Sequence, residues 1–178
     1  MSEVREHESE QYREGVRMTH TESPAKRMSD AYNRAVDGWQ SGDRAGAEKH
    51  ICDALKASLE LPHGPYELGW RALILYNRGL NLLRLHGLEA CSPIPQAKHR
   101  AAVAILGAWE DFMRTAKPLL RDRNFVAFFR DRHGLDLARA VQAVQNDPIY
   151  RRCPIEVEMG GRMLLVPWFG TPESMLPE

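Results

Sequence analysis

No apolar run in this chain is long enough to span a bilayer, and its opening, MSEVREHESEQYREG, is polar and acidic where a secretory leader would be apolar. These absences make the cytoplasm the expected address and exclude membrane insertion. Cysteine is scarce: Cys52, Cys91 and Cys153 are scattered, odd in number and without a CxxC pair. That sets aside a disulfide framework or a zinc site, and each thiol reads as a small apolar side chain in a reducing compartment. An excess of one charge is also missing, with 24 Lys plus Arg against 24 Asp plus Glu. The chain therefore lacks the broad basic footprint that nucleic acid or an anionic membrane requires.

Catalytic signatures are missing as well. There is no Gly-rich phosphate loop, nucleophile elbow or placed acid pair, and the seven histidines share no ligand spacing. Glu60-Leu61-Pro62-His63 has the letters of the Glu-x-x-His motif of di-metal bundles. Pro62 falls inside it, where it ends a helix, and no second copy exists. The expectation is a protein without enzymatic activity, metal or cofactor, with a small helical enzyme lacking a recognisable motif as the remoter alternative. The arginines of Arg121-Asp122-Arg123 and Arg130-Asp131-Arg132 are interleaved with aspartate, which predicts a solvated, internally paired face. Phe125, Phe128 and Phe129 are then anchors for that helix rather than platforms for bases.

What the chain has in quantity is apolar residues at helical spacing, 43% of 178 residues, enough for one sizeable core. The organising stretch is Tyr66 to Gly87, where Leu73, Tyr76, Leu80 and Leu83 share a face. Ile74, Leu75 and Leu82 widen that face beyond a one-sided stripe, so this helix must be covered from several sides. Before it, Ser23-Pro24 starts a helix carrying Met28, Ala31, Tyr32, Ala35, Val36 and Trp39. Gly42-Asp43 turns into a second helix with Ala47, Ile51, Ala54, Leu55 and Leu59. After a loop from Leu88 to Pro95, a fourth helix presents Ala102, Ile105, Leu106, Trp109, Phe112, Met113 and Ala116.

Short links between such helices predict an antiparallel four-helix bundle over 23–117, preceded by a flexible acidic lead segment, 1–22, that docks through Tyr12, Val16 and Met18. Pro118 marks a boundary, followed by a helical extension over 118–147 in two short helices about Gly134. A small β-hairpin and a loose tail fill 148–178: Ile155, Val157 and Met159 alternate with Glu156 and Glu158, Gly160-Gly161 turns, and Arg162 to Val166 returns.

The order of signals over residues 12 to 117 resembles the flagellin-specific export chaperones of the FliS family. Tyr12, Ser23-Pro24, Lys26 and the run Tyr32-Asn33-Arg34-Ala35-Val36 follow that family's arm, helix start and first helix. Gly42-Asp43, Ala57-Ser58-Leu59, Leu75-Tyr76-Asn77-Arg78-Gly79-Leu80 and Ala108-Trp109 continue in the same order. The first helix is about two turns shorter than the family's, a shift that nearly restores helical phase. Residues 118–178 have no counterpart.

The resemblance implies a cytoplasmic chaperone that holds flagellin, or a related helical client, in grooves between helices and prevents its premature self-association. The residues expected to touch the client are Tyr32, Ile51, Leu55, Leu59, Trp70, Ile74, Tyr76 and Leu82. The competing reading of each is plain core. An alternative places Tyr32-Asn33, Ala35, Gly42-Asp43, Ala47 and Ala54-Leu55 on the positions of a tetratricopeptide-like repeat, with Tyr76 to Gly79 opening a second unit. That version is a protein–protein adaptor.

Overall fold

The computed structural model describes residues 22–168. Tyr12, Val16 and Met18 of the expected docking arm lie outside them, as does the tail from Thr171 to Glu178. The described chain is mainly helical, with one small antiparallel hairpin. Its helices are α1 Pro24–Ser41, α2 Arg44–Leu59, α3 Pro65–His86, α4 His99–Leu119, α5 Arg123–His133 and α6 Leu137–Gln145. Strands β1 Ile155–Met159 and β2 Arg162–Val166 follow.

Five of the six helices start where their sequence offers an acceptor or a preset φ, while α4 continues from a 3-10 turn over Gln96–Lys98 without a side-chain cap. Ser23 accepts from the Lys26 N–H ahead of Pro24, and Asp43, Asp122 and Asp136 accept from first-turn N–H groups of α2, α5 and α6. One boundary differs from the sequence reading: α4 does not stop before Pro118 but carries it in its last turn and ends at Leu119. A proline there removes only the donor that would reach the Arg114 carbonyl, on an exposed residue that water can satisfy, while Leu119 gains burial. Gly160 and Gly161 both take positive φ, 57° and 76°, the backbone that a two-residue hairpin turn requires. The resulting register sets Ile155 opposite Val166 and Met159 opposite Arg162.

Close pairings run in chain order, α1 with α2, α2 with α3 and α3 with α4, and among the described residues α1 and α4 make no comparable pairing. The wide apolar stripe of α3 has a direct cause, because the helix lies between two clusters. Ile74 joins Met28, Ala31 and Ala35 of α1 and Ile51, Ala54 and Ala57 of α2. Its neighbours Leu73 and Leu75 join the second cluster, built with Ile105, Trp109 and Phe112 of α4, Phe129 of α5, and Leu137, Val141 and Val144 of α6.

The hairpin leans on the second cluster through Ile155 and Val157. Ile94 in the loop after α3 makes a parallel bridge to Ile155, and the Glu158 N–H donates to the Gln96 side-chain oxygen at 2.9 Å. Of β2, Val166 packs against the same cluster, while Met163, Leu164 and Leu165 remain exposed.

A polar lock joins α3 to the α1–α2 turn. Asn81, 2% exposed, accepts from the Trp39 indole at 2.9 Å and donates to the Arg44 carbonyl at 3.0 Å. Asn81→Ala strands both partners and is expected to cost about 1–3 kcal/mol of folding stability, read as a lower urea midpoint with an unchanged slope. A variant with the wild-type midpoint would show that water replaces the amide without loss.

Candidate partner-binding groove

The candidate apolar surface follows from the way α3 is covered. α2 and α4 flank it without meeting closely, leaving a furrow of 320 Å³ lined by Leu55 and Leu59 of α2, Arg71, Leu75 and Arg78 of α3, and Asp111, Arg114 and Thr115 of α4. The spacing is helical on every wall. Residues 71, 75 and 78 share one face of α3, and 111, 114 and 115 share one face of α4. Leu75 is buried and forms part of the floor, Leu55 is half-buried, and Leu59 at the end of α2 is 65% exposed.

The rim is cationic and held in place by the fold. Arg71 Nη2 donates to the Ser58 carbonyl at 2.8 Å, in the last turn of α2, where helix carbonyls lack internal partners and the dipole favours a cation. Arg78 Nε donates to Glu48 at 2.8 Å, in an ion pair whose side chains are 27% and 20% exposed. Burial works against the Arg78 charge, but the Glu48 hydrogen bond and its negative charge together hold the guanidinium above its ordinary range. Cys52 donates to the same carboxylate at 3.6 Å. Burial is the main reason its thiol is raised, with Arg78 pulling the other way. Arg114 pairs with Asp111 at 2.9 Å in the open.

The residues expected from the sequence to touch a client fall into three groups. Leu55 and Leu59 line the furrow. Ile51 and Ile74 are 0% exposed and Leu82 is 4% exposed, so their competing reading, plain core, describes where they sit. Tyr32, Trp70 and Tyr76 are half-buried between helices. Tyr32 accepts from the Asn77 amide at 2.8 Å and meets Trp39 and Trp70 edge-on, which joins α1 to α3. Trp70 also packs on His133 of α5, with ring centroids 4.7 Å apart. Tyr76 packs on Trp109 and Phe112 of α4. Burial raises the Tyr32 and Tyr76 hydroxyls above their ordinary range, the Asn77 hydrogen bond opposing it at Tyr32.

Arg71, Leu75, Arg78, Asp111, Arg114 and Thr115 were absent from the sequence-based set. Arg71 and Arg78 carried a usable signal, cations seven apart and so on one helical face, whereas the Glu48–Arg78 pair crosses 30 residues and has none.

A smaller furrow of 90 Å³ lies on the α1–α3 side, lined by Trp39, Arg44, Asn77, Leu80, Asn81 and Arg84. Phe129 is fully buried on Gly69 and anchors α5, while Asp131 pairs with Arg130 at 3.1 Å. Among the described residues no three His, Cys, Asp or Glu are grouped to hold a metal, and no helix is long and apolar enough to cross a membrane. Comparison of the chain with protein-family models, curated proteins and solved structures finds no match.

Proposed function

We propose that this protein binds a helical segment of a client protein in the α2–α3–α4 furrow and keeps that client from premature self-association, as an export chaperone for flagellin or a related client does. The observation that carries the reading is the furrow itself, apolar along Leu55, Leu59 and Leu75 and rimmed by Arg71 and Arg78, each held by a hydrogen bond to α2. A furrow of this kind suits an amphipathic helix whose apolar face fills the floor while polar flanks meet the rim. In this reading α1 to α4 act as an antiparallel four-helix bundle opened between α2 and α4, and the work is done in the cytoplasm, where unpolymerised client is made. Support also comes from the ordered resemblance over residues 12 to 117.

The test is co-expression with flagellin, followed by size-exclusion chromatography and a polymerisation assay. A stoichiometric complex that suppresses filament growth is the expected result. Free flagellin polymerising at its usual rate beside this chain would discard the client assignment.

One observation favours a second reading, the tetratricopeptide-like adaptor. Helices pairing in chain order, with α1 reaching α3 through Tyr32 and Trp39, suit stacked helical hairpins. An adaptor would take an extended peptide on the α1–α3 side, along Asn77, Leu80 and Arg84, rather than a helix between α2 and α4.

A further inference from the structure

We propose that Cys91 and Cys153 form a dithiol that closes to an intramolecular disulfide and fastens the β-hairpin to the loop after α3. The residues are 62 apart in sequence. The fold sets their segments side by side: the Ile94 N–H donates to the Pro154 carbonyl at 2.9 Å, and the Glu156 N–H donates to the Ile94 carbonyl at 2.8 Å. Three residues before Ile94 and two before Ile155, the sulfur-bearing positions meet.

The Cys153 Sγ lies 3.8 Å from the Cys91 carbonyl oxygen. Fixed backbone geometry then places that sulfur within about 6 Å of the Cys91 Cα. The Cys91 Sγ points to the Pro93 carbonyl at 3.4 Å, so closing the bond requires it to turn about the Cα–Cβ bond toward Cys153. Both thiols are half-buried, reachable by a small oxidant while shielded from a second protein. Cys52 sits apart on α2, against Glu48, and serves as an internal control.

The oxidant is a small-molecule disulfide such as oxidised glutathione. Burial raises the Cys153 thiol above its ordinary range, with the Ser92 side chain opposing and the nearby Cys91 and Asp147 adding to it, which disfavours its thiolate and casts it as the resolving thiol. The Cys91 thiolate attacks one glutathione sulfur, the glutathione S–S bond breaks, and one glutathione thiolate leaves. Cys153 then gives its proton to solvent, attacks the Cys91 sulfur and expels the second glutathione thiolate. Two protein thiols are oxidised, one glutathione disulfide is reduced to two thiols, and the departing thiolates take up the released protons.

The experiment treats the full chain with oxidised glutathione, alkylates the remaining thiols and maps the peptides by mass spectrometry under non-reducing conditions. The expected product links the Cys91 and Cys153 peptides with the loss of two hydrogens and leaves Cys52 alkylated. Cys153→Ser is expected to stop at a glutathione adduct on Cys91. Closing a loop of this length should raise Tm by about 5–10 °C, reversed by reductant. Glutathione adducts without an internal link, a link through Cys52, or a mapped bond with unchanged Tm would each overturn the proposal.

Discussion

Trp109→Ala is expected to remove about 3–5 kcal/mol of folding stability, the range for deleting a fully buried tryptophan. Trp109 is 1% exposed at the centre of the larger cluster, and its ring packs on Tyr76 with centroids 5.9 Å apart. The indole also fills the space over Gly79, where an added Cβ would come within 2.2 Å of it. Gly79→Ala is therefore expected to cost about 1–3 kcal/mol by overpacking. Helix propensity alone would favour that change by about 1 kcal/mol. Combining the two substitutions separates these effects. With the indole gone, Gly79→Ala should become neutral or stabilising, so the sign of the change inverts between backgrounds. Urea denaturation of the four chains measures this directly, and an equal cost in both backgrounds would show that the glycine serves some purpose other than admitting the ring.

The same contact shows how far the sequence could be read. Apolar spacing and turn residues placed α1, α2, α3 and the hairpin, because caps and periodicity are local and this chain states them plainly at Ser23-Pro24, Gly42-Asp43 and Gly160-Gly161. The breadth of the α3 stripe correctly implied cover from several sides. What spacing could not give was the assignment of sides. Ile74 and Leu75 are adjacent and equally apolar, yet one joins the α1–α2 cluster and the other helps floor the furrow beside α4. Helical phase fixes the angle between two residues but not what stands opposite each. Ile51, Ile74 and Leu82 are expected from spacing to touch a client for that reason, and they lie in the core.

Chemistry formed across long separations was equally invisible. The Glu48–Arg78 pair, the Asn81 lock and the meeting of Cys91 with Cys153 each join residues 30 or more apart, and only the fold brings them together. Scattered cysteines read as inert for the same reason: spacing detects a pair within one loop and misses one assembled from two.

Leu59→Gln is expected to leave folding stability within about 0.5 kcal/mol of wild type, because the side chain it replaces is 65% exposed. Its effect on client binding should be large. If an amphipathic helix lies between α2 and α4, Leu59 and Leu55 are the apolar contacts on the α2 wall, and exchanging both for Gln puts two amides where the client offers no partner. A loss of at least about 30-fold in affinity is the hot-spot scale for such contacts. Titrating flagellin against wild type, Leu59→Gln and the double variant by calorimetry measures it, with circular dichroism confirming that the helices persist. Leu80→Gln, on the α1–α3 side, supplies the opposite arm. It should leave the complex unchanged if the client lies between α2 and α4. Loss of binding in Leu80→Gln with Leu59→Gln unaffected would move the partner to the other face of α3 and favour the adaptor. The two outcomes are distinguishable because the two furrows share no lining residue, so each substitution touches one of them alone.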